Sequence, residues 1–172
     1  MLNLELAEYQ HENIEDIIKL INSSYRDNKS NKAWTSESHL LTGKRINEIM
    51  FKEILNDINS KIYIAKSENN IIACIQAKLE NQEIHIGLFA VDSNFQSGGI
   101  GKRLLGFAET ESSKIWKVNS FVMEVISSRK ELIEFYIRRG YVNTNLYLDF
   151  PESKLWNRIS DDFKLLVLRK RF

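Results

Sequence analysis

Cysteine is nearly absent from this 172-residue chain, with Cys74 standing alone. A single thiol excludes an internal disulfide and a multi-cysteine zinc site. A charge surplus of either sign is absent too. Lys and Arg number 24 against 23 acidic residues, a net charge of +1, whereas a protein dedicated to coating nucleic acid usually shows a basic excess. No apolar run approaches the ~18 residues of a membrane-spanning helix. Met1 to Gln10 carries Glu5 and Glu8 and no apolar stretch of the signal-peptide kind. A cytoplasmic protein without a membrane or nucleic-acid partner is therefore expected. Internal repeats and low-complexity linkers are also lacking. What is present is an ordinary globular composition, 43% hydrophobic and 27% charged, too apolar and too balanced in charge for disorder. One domain over residues 1–172 is expected.

Periodicity supplies the elements. Leu2, Leu4 and Leu6 alternate with polar residues, as in a half-buried strand. Asn13 suits a helix N-cap, with Asp16 at the third helical position. Ile14, Ile17, Ile18 and Ile21 then mark one helix face, ending near Tyr25. Residues 26–43 are polar and irregular, a long loop of the kind that often serves function. A second helix is expected from Arg45 to Asn56. The apolar runs Ile62–Ala65 and Ile71–Ile75, divided by a polar turn, read as a hairpin. A further strand follows from Glu83 to Val91, then a loop from Asp92 to Gly99. Apolar residues at helical spacing continue from Ile100 to about Trp116. Phe121–Val125 is a strand. Leu132, Ile133, Tyr136 and Ile137 form a helix that Gly140 closes. Strands beginning at Tyr141 and spanning Phe163–Leu168 complete the chain. The fold class expected is mixed α/β, a layered domain of sheet and helices.

The segment from Val91 to Arg103 is the most informative. Glycines between a strand and a helix let the backbone turn tightly and present its N–H groups, and the helix dipole adds positive potential. A Walker A loop fails, because Gln96 replaces its first glycine and Arg103 its Ser/Thr. A dinucleotide fingerprint fails as well, because Leu104 stands at its third glycine. The pattern Q/R-x-x-G-x-G/A is matched by Gln96, Gly99 and Gly101. It resembles the pyrophosphate-binding motif of the GNAT superfamily of N-acetyltransferases. Phe135-Tyr136 followed by Gly140-Tyr141 resembles that family's second signature. The resemblance covers nearly the whole chain and is strongest over 84–142.

The resemblance implies a central mixed, mostly antiparallel β-sheet flanked by helices. It also implies acetyl-coenzyme A as co-substrate, no metal, and acetyl transfer to a primary amine by direct attack in a ternary complex. Gln96, Ser97, Gly98, Gly99, Ile100, Gly101 and Lys102 would hold the pyrophosphate. Backbone groups of Phe89, Ala90 and Val91, at a bulge in their strand, would meet the pantetheine arm. Tyr136 is the candidate general acid; its helical spacing suits a core tyrosine equally well. His85 is the candidate base, since imidazole titrates near neutrality, with Glu83, Glu124 or no dedicated base as alternatives. Strict alternation puts His85 on one face with Gly87 and Phe89. Arg129 stands where many members carry Asn, and either touches cofactor phosphate or faces solvent. Trp34 and Glu37 are the candidate acceptor contacts, the first by stacking and the second by pairing with an ammonium. A surface loop pinned by one aromatic is the alternative for both. His11 and His39 show no metal-ligand spacing. The acceptor is a small-molecule or peptide amine, and many relatives pair as homodimers. A non-catalytic acyl-coenzyme A binding module with the same fold, and an interaction module without cofactor, remain as alternatives.

Overall fold

Alternating leucines and the isoleucine stripe after them produce β1 (Leu4–Glu8) and α1 (Ile14–Arg26). They open a computed structural model that describes residues 3–26 and 36–172. Next come β2 (Leu41–Gly43) and α2 (Glu48–Asn56), the latter capped by the Asn47 side chain accepting from the Met50 N–H at 2.9 Å. The hairpin strands are β3 (Ser60–Ser67) and β4 (Asn70–Glu80), followed by β5 (Glu83–Val91). Both intervening turns use two residues of positive φ, Glu68-Asn69 and Asn81-Gln82, a conformation that matches strand twist. A short 3-10 turn over Ser93–Gly98 leads into α3 (Ile100–Trp116). Then follow β6 (Ser120–Ile126), α4 (Lys130–Ile137), β7 (Val142–Leu148), β8 (Trp156–Arg158) and β9 (Leu165–Arg171).

The sheet and its flanking helices take the mixed form expected from the sequence. Seven strands lie in the order β1-β3-β4-β5-β6-β9-β7, and β5·β6 is their one parallel pair. The difference lies at the edges of the irregular segments. Leu41–Gly43, expected within a loop, pairs antiparallel with Trp156–Arg158 as a separate two-stranded sheet. Three residues are too few to carry a readable period.

Two apolar layers cover the large sheet. On one face, Ile17, Leu20 and Ile21 of α1 and Phe51 of α2 pack on Ile62, Ile64, Cys74, Leu88 and Ala90. On the other, Leu104, Leu105 and Ala108 of α3 and Tyr136 of α4 meet Ala73, Ile75, Ile84, Phe89 and Val91. The small sheet rests on a third cluster of Leu41, Ile126, Trp156, Phe163 and Leu165. The second layer also contains a polar group: Glu109, 3% exposed, accepts from the Tyr141 hydroxyl and from Lys170 Nζ, each at 2.7 Å. Such a group belongs in a core only when its bonds are satisfied there. Among the described residues no helix is long and apolar enough to cross a membrane.

Candidate active site

The site begins with a defect in β5. This strand pairs with β6 through Ile84, His85 and Ile86, and then the two part. On its other side the register to β4 slips between Cys74 and Gln76, and Leu88 takes a left-handed backbone with φ 44°. This is a β-bulge: the inserted residue breaks the ladder and reverses the alternation of faces beyond it. Ile84 and Ile86 face the α3 layer before the bulge, and Phe89 and Val91 face it afterwards. His85 therefore shares a face with Leu88 and Ala90, not with Phe89 as strict alternation would have it. Two bonds from the end of α1 brace the splayed segment. The Tyr25 hydroxyl donates to the Phe89 carbonyl at 3.0 Å and the Ser24 hydroxyl to the Val91 carbonyl at 3.4 Å.

The glycine loop lies just beyond. Asp92 accepts from the Asn94 N–H at 2.8 Å, and the Gln96 side-chain amide donates to the Val91 carbonyl at 3.0 Å, tying the loop to its strand. Gly99 turns into α3 with φ 70°, a left-handed conformation costly to residues with a Cβ. First-turn N–H groups of a helix have no intrahelical partner. Those of α3 open beside a cavity of about 200 Å³ lined by Gln96, Ser97, Gly99, Gly101, Lys102 and Arg139. Gly101 keeps its wall thin: a Cβ there would meet Phe89 at 3.4 Å and Phe135 at 3.8 Å. Donors, dipole and two basic side chains make this concavity an anion cradle. Its residues fit a pyrophosphate and the narrow chain attached to it.

A larger cleft of about 360 Å³ opens on the other side of the splay. Phe89, Leu132 and Tyr136 line both cavities, so the two meet there. Tyr136 is 5% exposed and its ring packs against Phe89, Phe135 and Tyr141. Burial pushes its hydroxyl above the ordinary tyrosine range, so it stays protonated at neutral pH. His85 and Glu124 line the same cleft. His85 sits opposite Lys78 and Val122, with Nε2 4.0 Å from the exposed Glu80 carboxylate. Glu83 does not reach the cleft. Arg169 binds its carboxylate at 2.8 and 3.1 Å, and Ser120 adds a bond of 2.8 Å. Those bonds, led by Arg169, hold it below the usual carboxylate range.

Two expectations are corrected here. Glu37 is no open carboxylate awaiting an ammonium, because it is paired with Arg26. Arg129 neither faces solvent nor borders the glycine loop. It is 8% exposed, donates to the Ser36 carbonyl and lines the larger cleft. Trp34 lies outside the described residues. His11 stacks on Tyr9, and His39 is exposed in the turn before β2. Tyr25, Arg26, Arg45 and Arg139 line the two cavities without belonging to any motif of the sequence. Their one sequence signal was position: the first three border the irregular segment 26–43, and Arg139 follows the Phe135-Tyr136 pair.

Residues 9–149 match the family model described as an acetyltransferase (GNAT) domain. No curated protein matches the chain at a significant level. Among solved structures, the ribosomal-protein-S18-alanine N-acetyltransferase from Escherichia coli aligns with a TM-score of 0.70 at 12% identity, covering 98% of this chain and 93% of its own. The PaiA N-acetyltransferase from Thermoplasma acidophilum, in complex with coenzyme A, aligns at 0.70 and 15% identity, over 99% and 100%. A GNAT family acetyltransferase from Elizabethkingia anophelis with acetyl-CoA bound aligns at 0.65 and 15% identity, over 99% of both chains. At these identities the likeness establishes the fold.

Proposed function

Because the chain belongs to the GNAT acetyltransferase family, we propose that it transfers the acetyl group of acetyl-coenzyme A to a primary amine by direct attack within a ternary complex. The observation that carries this reading is the meeting of two cavities at Tyr136. One is an anion cradle and the other an open cleft, so two substrates can reach one reacting centre from opposite sides of the β5–β6 splay. Gln96 to Lys102 and Arg139 hold the pyrophosphate. Backbone groups of Phe89, Ala90 and Val91 line the path of the pantetheine arm. Acetyl-coenzyme A supplies the activated acyl carbon. The attacking nitrogen forms the C–N bond as the C–S bond breaks. His85, or a water it orders, accepts the proton lost by the amine. Tyr136 donates the proton that leaves the coenzyme as a thiol, and a proton from solvent restores it. The reaction is cytoplasmic, and homodimer pairing would use the β7 edge, where Val142, Leu146 and Tyr147 are exposed.

The test is isothermal titration with acetyl-coenzyme A, followed by thiol release with a panel of amines. Tyr136→Phe should keep acetyl-coenzyme A affinity and fold, since the ring contacts remain, and lower kcat about 10²- to 10⁴-fold. An unchanged kcat removes Tyr136 from the chemistry. Tight binding without thiol release for any amine identifies a non-catalytic acyl-coenzyme A binding module instead.

A further inference from the structure

The larger cleft is charged unevenly. At Trp156 it gathers two guanidinium groups, Arg26 and Arg45, and the carboxylate at that end, Glu37, is already paired with Arg26; Arg129, Lys78, Glu80 and Glu124 also line the cleft. The Arg26 and Arg45 guanidinium carbons lie 5.8 and 5.9 Å from the Trp156 ring centre, and Arg45 is also 5.5 Å from that of Tyr25. Arg26 is the telling member. Its side chain is 5% exposed. Glu37 takes only its Nη1, while Nε and Nη2 are buried with no hydrogen-bond partner among the described residues. Buried donors of a charged group left unpaired are costly and therefore unusual. A guanidinium presents its donors as a planar fork that suits a carboxylate bidentately. His85, within the paired stretch of β5 and β6, and Glu124, just past its last pair, line the cleft as well.

From this we infer that the acceptor amine carries a carboxylate, as an amino acid does, and that Arg26, flanked by Arg45, binds it. This rests on the acyl-transfer reading above. It names the class of acceptor, which that reading leaves open. A polyamine is disfavoured at this end of the cleft on the same ground: a second positive charge there would face Arg26 and Arg45, with Glu37 already paired. The ammonium end lies toward Glu124 and His85, and the carboxylate toward Arg26.

The experiment uses the common L-amino acids, their carboxamides and spermidine. Thiol release is followed with acetyl-coenzyme A, and binding by titration into the protein saturated with coenzyme A. The expected result is a kcat/KM at least tenfold higher for an acid than for its amide, with spermidine poorest. Arg26→Gln should raise KM for the acid at least tenfold, level acid and amide, and leave kcat and coenzyme A affinity within about twofold. Arg45→Gln, which breaks no ion pair among the described residues, should shift KM the same way and guards against misfolding of the first variant. Amides or spermidine used as well as acids, or acids that neither bind nor react, would overturn the carboxylate site while leaving acyl transfer standing. Acids that bind through Arg26 without thiol release would uphold the site and overturn the transfer reading.

Discussion

Gly99→Glu tests the anion cradle most directly. Gly99 has φ 70°, and a Cβ built there meets nothing within 4 Å. A Cβ is thus admitted by space, and its cost is the left-handed strain of about 1–2 kcal/mol. Gly99→Ala carries the same strain without charge and serves as the control. The glutamate adds a carboxylate at the N-terminus of α3, facing the position assigned to the pyrophosphate. At about 6 Å, each pair of like charges costs roughly 0.7 kcal/mol at an effective dielectric of about 80 and roughly 2.8 kcal/mol at about 20. Two phosphate charges double that, so acetyl-coenzyme A affinity should fall at least about tenfold, since about 1.4 kcal/mol is one decade. Titration calorimetry of wild type and both variants measures it, and thermal unfolding shows whether the two variants lose the same stability. Wild-type affinity in Gly99→Glu, or an equal loss in Gly99→Ala, would refute an electrostatic pyrophosphate site at this loop.

Three further outcomes are expected. Glu109→Ala strands the buried Tyr141 hydroxyl and Lys170 ammonium, each bonded at 2.7 Å; denaturant unfolding should show a loss of about 3–5 kcal/mol, and a loss under about 1 kcal/mol would mean that the cluster relaxes. Glu83 is held below its ordinary value of 4.5, chiefly by Arg169, so its contribution to stability is complete above that value and fades as pH falls through the lower folded pKa. The stability gap between wild type and Glu83→Gln should then narrow on acidification, and a gap that stays constant would contradict the assignment. Burial pushes the Cys74 thiol up to about 12. Ellman's reagent at pH 8 should therefore leave native protein unlabelled and label it on unfolding; prompt labelling of folded protein would place Cys74 elsewhere.

Helices and hairpins were readable because burial on one face repeats with a fixed period. Glu83–Val91 and Ile100–Trp116 span the residues their patterns indicated. The glycine loop was readable because its chemistry is local: Gly99 needs a left-handed turn and Gly101 a close packing contact, and both fall within a few residues. The small sheet left one mark, Gly43, whose Cβ would collide with the Leu155 carbonyl oxygen. Its partner strand is more than a hundred residues away, so no sequence window contains both halves of that contact. Two other contacts carry no periodic or motif signal either: Arg26 pairs with Glu37, 11 residues on across the irregular segment, and Arg129 meets Ser36 across 93 residues. Nothing in Gly87-Leu88-Phe89 announces a left-handed leucine, because alternation gives no sign of an inserted residue. Yet that bulge organises the site. Had alternation continued, Phe89 and Val91 would face α1 and α2, and the cavity beside the glycine loop would lose two of its walls. Leu88 would then turn toward α4 in their place. One inserted residue thus sets the cradle on one face of β5 and His85 on the other, and the splay beside it joins the two cavities at Tyr136.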